Sequence, residues 1–273
     1  MGFKINGEAV PVTVFPDNTS QVWKLPDHMV VPDEPVTVEW RFFHEMEVMQ
    51  YMQLFTLLSS LNKEISLELP YLPYARQDKG IFNDQCFAFF VFKNVLTAYL
   101  PKSIRILDAH SSAVNWIPNA EVYYPDTELK QAFEDCEADI VCYPDQGAAE
   151  KYAGNGIYDH LYTRAHKERD PATGKITKME LASAAHVKDR KVLIVDDICD
   201  GGATFIELAR LLRKAGAKEV SLFVSHGIFS RGVRRLNVGG IDRIYTPNGL
   251  ISEHADFPLT TDYDVLERMR NND

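Results

Sequence analysis

The segment VLIVDDICDGGAT, residues 192–204, constrains this chain more than any other. Its four leading apolar residues read as a short strand buried on both faces and bounded by turn residues. Two carboxylates follow at Asp196 and Asp197, a third at Asp200, and then the pair Gly201-Gly202. The next run, ATFIELARLLRK at residues 203–214, repeats apolar residues at helical spacing. A parallel strand that ends in acids and glycines just before a helix N-terminus is a place to hold phosphate. The glycines let backbone N–H groups approach an anion, and the helix dipole favours negative charge there. The carboxylates suit ribose hydroxyls or a polyphosphate carrying Mg²⁺.

The rest of the chain repeats that strand–helix alternation. Strand-like runs fall at residues 36–42, 65–69, 104–107, 140–143, 192–195, 220–224 and 241–245, and helical runs at 45–61, 84–99, 146–152, 203–215 and 263–269. Alternating β and α elements imply an α/β fold with parallel sheets flanked by helices. At 273 residues there is room for two such units, and the acidic stretch after Pro125 is the expected boundary, giving residues 1–125 and 126–273. A net charge of −10 argues against a general nucleic-acid binder, because phosphate backbones attract basic surfaces. The four cysteines form no CxxC pair and no zinc-like spacing with histidine, and read as reduced thiols. The most apolar run, residues 86–92, is too short to cross a bilayer. The expectation is a cytoplasmic protein without membrane or nucleic-acid partners. Met46, Met49 and Met52 are expected in the core or at a subunit interface, and Phe87, Phe89, Phe90 and Phe92 in the core.

Residues 164–180 differ from their surroundings. They are polar, contain Pro171 and Gly174, and carry the five cations Arg164, Lys167, Arg169, Lys175 and Lys178. In an acidic protein that concentration reads either as a mobile loop closing over anions or as a solvated hairpin.

Further strings lie on either side: PYLPYARQDKG at 70–80, DAHS at 108–111, HKER at 166–169 and SHGIFSRG at 225–232. Together with VDDICDGGAT they follow the order and approximate spacing of ribose-phosphate pyrophosphokinases (PRPP synthetases), which the chain resembles over roughly residues 15–247. YARQD and HKER are specific to that family, whereas type I phosphoribosyltransferases share the VDD…T loop. The resemblance implies two tandem phosphoribosyltransferase-like domains, an ATP side in 1–125 and a ribose-phosphate loop with a catalytic flexible loop in 126–273. It implies transfer of the β,γ-diphosphoryl group of ATP to a ribose C1 hydroxyl with release of AMP, Mg²⁺ as cofactor, and a homo-oligomer. Carried over by position, Arg76, Gln77 and Asp78 contact ATP. His110 and Asp145 ligate the metal, and His110, Lys167 and Arg169 form the catalytic set. Asp196 and Asp197 hold the ribose hydroxyls, while Asp200, Gly201, Gly202, Ala203 and Thr204 cradle the 5-phosphate.

This chain also departs from the family pattern. The phosphate loop there reads D-T-x-G-T, and here Gly201 stands in place of the threonine. That removes a hydroxyl donor and is expected to open space beside the phosphate. Thr19 replaces a glutamate associated with adenine binding, residues 81–88 replace the family's S-R-x-P-I segment, and the family's opening strand–helix and final tail have no counterpart. Gly201 and the trimmed first domain favour ADP-ribose as acceptor, the activity of a short divergent branch found in phages, which would place the protein in a host cytoplasm and in NAD⁺ rebuilding. Ribose 5-phosphate, giving PRPP, is the alternative. An inactive synthetase-associated regulatory subunit is a further one, against which stand the retained Lys167, Arg169, His110 and Asp145.

Overall fold

The computed structural model describes residues 2–78, 86–153, 162–169, 176–249, 259–260 and 268–269. The expected helix at 263–269 therefore lies outside the described residues except for its last two positions, as do residues 81–85 of the divergent segment. The chain forms two compact units, Met1–Tyr124 with Met269–Asp273, and Pro125–Arg268. Among the described residues no helix is long and apolar enough to cross a membrane. The four cysteines are free, with only Cys86 exposed.

The first unit contains β1 (Phe3–Ile5), β2 (Glu8–Ala9), β3 (Val12–Val14), β4 (Ser20–Val22), β5 (Val36–Trp40), α1 (Met46–Ser60), β6 (Ile65–Leu69), α2 (Ala88–Thr97), β7 (Ser103–Leu107) and β8 (Ala120–Tyr123). Its main sheet runs β2-β1-β5-β6-β7-β8. Strands β5 to β8 are mutually parallel, and β1 joins β5 antiparallel. Strands β1 to β4 were not legible as strands because each is only two or three residues long. The core centres on the fully buried Trp40, stacked on Phe3 at 5.0 Å and on Tyr51 at 5.1 Å between ring centroids. Its indole N–H donates to the buried Glu47 carboxylate at 2.9 Å, which offsets the cost of burying that charge. Helix α1 presents Tyr51, Leu54, Phe55 and Leu58 to this core, a stripe at helical spacing. The methionines do not form that face: Met49 is 55% exposed, and Met52 only packs against its margin. Phe87, Phe89 and Phe92 are buried as expected, but Phe90 is exposed.

The second unit contains α3 (Asp126–Asp135), β9 (Ile140–Tyr143), α4 (Gln146–Tyr152), β10 (Tyr162–Arg169), β11 (Ile176–Leu181), β12 (Lys191–Cys199), α5 (Ala203–Lys214), β13 (Glu219–Gly227), α6 (Arg234–Val238), β14 (Arg243–Tyr245), β15 (Asn248–Gly249) and β16 (Leu259–Thr260). The sheet order is β11-β10-β9-β12-β13-β14-β16, with β15 beside the end of β13. All neighbours are parallel except β10 and β11. Val192 to Val195 are buried, as a central strand with covered faces requires. Strand β12 runs on through both aspartates to Cys199, because β13 continues alongside it to Gly227 and supplies hydrogen-bond partners.

The polar segment at 164–180 is paired strand where it is described. Its described parts form the antiparallel pair β10/β11, while 170–175, with Pro171, Gly174 and Lys175, lie outside the described residues. The reason is alternation: Thr163, Ala165 and Met179 turn inward, and Ala165 and Met179 join the core of this unit. Arg164 and Lys178 occupy the alternate positions, whereas Lys167 continues the face of Thr163 and Ala165 and lies opposite Met179.

Candidate active site

The order of strands in the second unit selects one end of the sheet. From β9 the chain passes through α4 to β10 on one side, and from β12 it passes through α5 to β13 on the other. The connections diverge between β9 and β12, and in open α/β sheets the crevice outside such a switch point is where ligands bind. Asp145 follows β9 directly, and Asp196 and Asp197 lie near the end of β12. Residues far apart in sequence thereby share one strand-end crevice.

The glycine pair continues from β12. Gly202 is the N-cap of α5 with φ 75° and ψ 3°, a left-handed conformation that glycine adopts without strain. It supplies no side-chain cap to α5, so the N–H groups of the first turn are not capped from that position and suit an anion. Gly201 has no such backbone requirement; the nearest atoms to an added Cβ would be those of the Arg231 side chain, at 3.7 Å. The SHGIFSRG string reaches this point because the amides of Ile228 and Phe229 donate to the Cys199 carbonyl at 2.9 and 3.1 Å. The Ser230 hydroxyl donates to the Asp200 carboxylate. The space expected beside Gly201 is therefore covered by the stem of Arg231.

Around the acids the charges are paired across strands. Lys167 of β10 binds one oxygen of Asp145, whose other oxygen caps α4 by accepting the Ala148 amide at 2.9 Å. Lys151, in the last turn of α4, lies 3.3 Å from Asp197. Burial opposes ionisation of Asp145, but the Lys167 hydrogen bond, the Ala148 amide and the charge of Lys167 outweigh it and hold this carboxyl below the ordinary range. Asp196 goes the other way. Desolvation, reinforced by Asp197 and Asp145, pushes its carboxyl well above the usual range. The crevice thus gathers three acids around two lysines, an oxygen-rich donor set that fits a divalent cation with hard oxygen ligands once the acids are ionised. Among the described residues, no group of three or more His, Cys, Asp and Glu side chains is disposed to hold a metal alone.

Of the residues singled out from sequence, the second unit brings together Asp145, Lys167, Asp196, Asp197 and the run 200–204. Arg169 ends β10 opposite Ile176, after a register shift at 168–169. The remaining candidates belong to the first unit. Arg76 and Gln77 are exposed and Asp78 half-buried, in a turn beyond β6 where the Gln77 amide donates to the Tyr74 carbonyl at 2.9 Å. His110 is exposed just past β7, two residues after the fully buried Asp108, whose amide donates to the Tyr123 carbonyl at 2.8 Å. Since β6 and β7 are parallel neighbours, both strings lie at the carboxyl edge of one sheet. Lys151, Ser230 and Arg231 escaped sequence reasoning. The only signal for the last two was that SHGIFSRG is among the matching strings; nothing in the sequence around Lys151 points to Asp197.

The fold and the strand-end crevice define an α/β protein of two tandem phosphoribosyltransferase-type units. The family model described as "Phosphoribosyl transferase domain" matches residues 159–260. A "Ribose-phosphate pyrophosphokinase 4" of Saccharomyces cerevisiae is 28% identical over 247 residues, 85% of this chain and 74% of that protein. A "Ribose-phosphate pyrophosphokinase" of Sulfurisphaera tokodaii is 26% identical over 246 residues, covering 86% and 82%. The fold is shared with the crystal structure of the phosphoribosylpyrophosphate synthetase of Mycobacterium smegmatis, with a TM-score of 0.74 at 22% identity over 92% of this chain and 85% of that one. These similarities support the ribose-phosphate pyrophosphokinase (PRPP synthetase) family and an enzyme of the diphosphotransferase class.

Proposed function

We propose that this enzyme transfers the β,γ-diphosphoryl group of ATP to the C1 hydroxyl of ribose 5-phosphate, giving PRPP and AMP. The observation that carries the reading is the crevice at the β9/β12 switch point, where a carboxylate pair adjoins a glycine loop at a helix N-terminus. In the reaction the C1 oxygen attacks the β-phosphorus, the bond from that phosphorus to the α,β-bridging oxygen breaks, and the oxygen leaves with AMP. Little covalent chemistry falls to the protein, so its work is positioning and charge stabilisation.

In this reading Asp196 and Asp197 accept hydrogen bonds from the ribose hydroxyls, and the amides of the 200–204 loop with the Thr204 hydroxyl hold the 5-phosphate. Lys151 fixes the orientation of Asp197. Lys167, paired with Asp145 when no substrate is present, and Arg169 stabilise the diphosphoryl group in flight. Arg76, Gln77 and Asp78 bind ATP. Mg²⁺, when bound, neutralises the polyphosphate and polarises its phosphorus. Asp145 and the neighbouring Asp196 and Asp197 are the acids in the second unit suited to hold it, chiefly together with phosphate oxygens and water.

ADP-ribose as the preferred acceptor loses its main argument, because Gly201 opens onto Arg231 and not onto empty space. The names of the relatives also favour ribose 5-phosphate. AMP release from ATP and Mg²⁺, measured with ribose 5-phosphate and ADP-ribose supplied separately, tests the reading. Turnover with ribose 5-phosphate is expected, and turnover confined to ADP-ribose would overturn it.

A further inference from the structure

The geometry points to Arg231 as the residue that reads the acceptor's phosphomonoester, taking over in charge what the missing side chain at position 201 would contribute as a hydroxyl. The inference rests on the phosphate-loop reading above and names a specificity residue within it.

Three observations carry it. First, Gly201 is a glycine that its backbone does not require. A Cβ built there would stand in ordinary contact with Arg231, whose Cδ and Nε at 3.7 Å and Cγ at 3.9 Å would be its three nearest neighbours. The absent side chain and the arginine stem therefore occupy adjoining space above one loop. Second, the turn that carries Arg231 is fixed. The Gly232 amide donates to the Phe229 carbonyl at 2.8 Å, closing a four-residue turn with Arg231 as its third residue. Phe229 is buried at its base, Ile228 and Phe229 bind the Cys199 carbonyl, and Ser230 binds Asp200, the first residue of the phosphate loop. Third, Arg231 is exposed, and no acid among the described residues forms an ion pair with it. An arginine held on a rigid turn beside an anion loop, without a carboxylate partner, has its fork available for phosphate.

A phosphomonoester carries close to two negative charges at neutral pH, more than one hydroxyl can address. The planar fork can donate two hydrogen bonds to such a group while the loop amides take the remaining oxygens. Gly201 then has a purpose: a β-branched residue there would crowd the arginine stem, so glycine at 201 and arginine at 231 work as a pair.

The test measures binding of ribose 5-phosphate by titration calorimetry, with KM for ribose 5-phosphate and for ATP, in R231A, R231K, G201T and the double variant G201T/R231A. R231A should weaken ribose 5-phosphate about 10- to 100-fold, the loss expected for a charge-assisted hydrogen bond, and leave the KM of ATP within about twofold. R231K should fall between, keeping charge but not the fork. G201T/R231A should recover part of the affinity lost in R231A, because threonine restores a donor in the vacated space. Melting temperatures should match the wild type, since Arg231 is on the surface. An unchanged ribose 5-phosphate affinity in R231A, or equal losses for both substrates, would overturn the role. If the wild type neither binds nor turns over ribose 5-phosphate, the function reading has failed, and inorganic phosphate becomes the probe. Weaker phosphate binding in R231A than in wild type would still support Arg231, and equal or undetectable binding in both would overturn it.

Discussion

Two adjacent glycines in the phosphate loop should respond in opposite ways to one methyl group. At Gly202 the backbone has φ 75°, and an added Cβ would lie 2.6 Å from Cδ2 and 3.4 Å from Cγ of Leu236. A non-glycine residue in the left-handed region costs about 1–2 kcal/mol. Leu236 is 2% exposed, so its methyl cannot swing aside without disturbing the core beneath α6, and overpacking of that kind costs about 1–3 kcal/mol. The narrower unfolded ensemble of alanine returns about 0.4–1 kcal/mol. Gly202→Ala should therefore lose about 2–4 kcal/mol, or roughly 6–15 °C in melting temperature for a unit of this size. Gly201→Ala has no left-handed φ and meets nothing closer than 3.7 Å, so it should be neutral or stabilising by about 0.5 kcal/mol. Differential scanning calorimetry of the ligand-free variants measures both. Melting temperatures for the pair within about 2 °C of each other would refute the claim that backbone conformation, and not proximity to the site, sets the cost.

Asp196→Asn should stabilise the ligand-free enzyme and abolish turnover. Because burial and its acidic neighbours raise the carboxyl of Asp196 in the folded state, ionising it destabilises the fold, and that stability is lost as pH rises above the unfolded value of about 4 toward the raised one. Urea unfolding in EDTA should show the Asn variant gaining on wild type from pH 4 to 8, and a pH-independent difference would count against the assignment. Asp145 is held low, so its contribution is present above the unfolded value and disappears only as pH falls below about 4, outside that window. Lys167→Ala should lower kcat by about 10²- to 10³-fold with little change in the KM of the acceptor, if the lysine acts on the transferring group. In the same variant the Asp145 carboxyl should titrate higher, as seen by NMR, and an unmoved titration would contradict the ion pair.

Much of the fold was legible because its signals are local. The runs at 65–69 and 140–143 coincide with β6 and β9, and the run at 146–152 with α4, since apolar period and length read directly from neighbouring residues. The failures have local causes too. Strands β1 to β4 are too short to show alternation, and β10/β11 hides its inward Thr163, Ala165 and Met179 among cations. Met46, Met49 and Met52 share a helical face, but the aromatic and leucine stripe beside them is the one that fits against the buried Trp40. Hydropathy gave no means of choosing between the two.

In the site the division is sharper. The strand, the acids and the glycine loop of residues 192–204 form one continuous stretch, so the strand-to-helix turn was legible in the sequence, whereas the left-handed backbone of Gly202 that caps α5 was not. The pairing of charges was not. Lys167 meets Asp145 across 22 positions, Ser230 meets Asp200 across 30, and Lys151 meets Asp197 across 46. Those contacts exist because β9 lies between β10 and β12 and β13 delivers the turn bearing Arg231 beside the loop. Strand order is settled by packing of the whole sheet, a cooperative choice that leaves no mark on any single segment. For that reason the sequence by itself marks the loop proposed to hold phosphate, and the tertiary structure decides which cations stand around it.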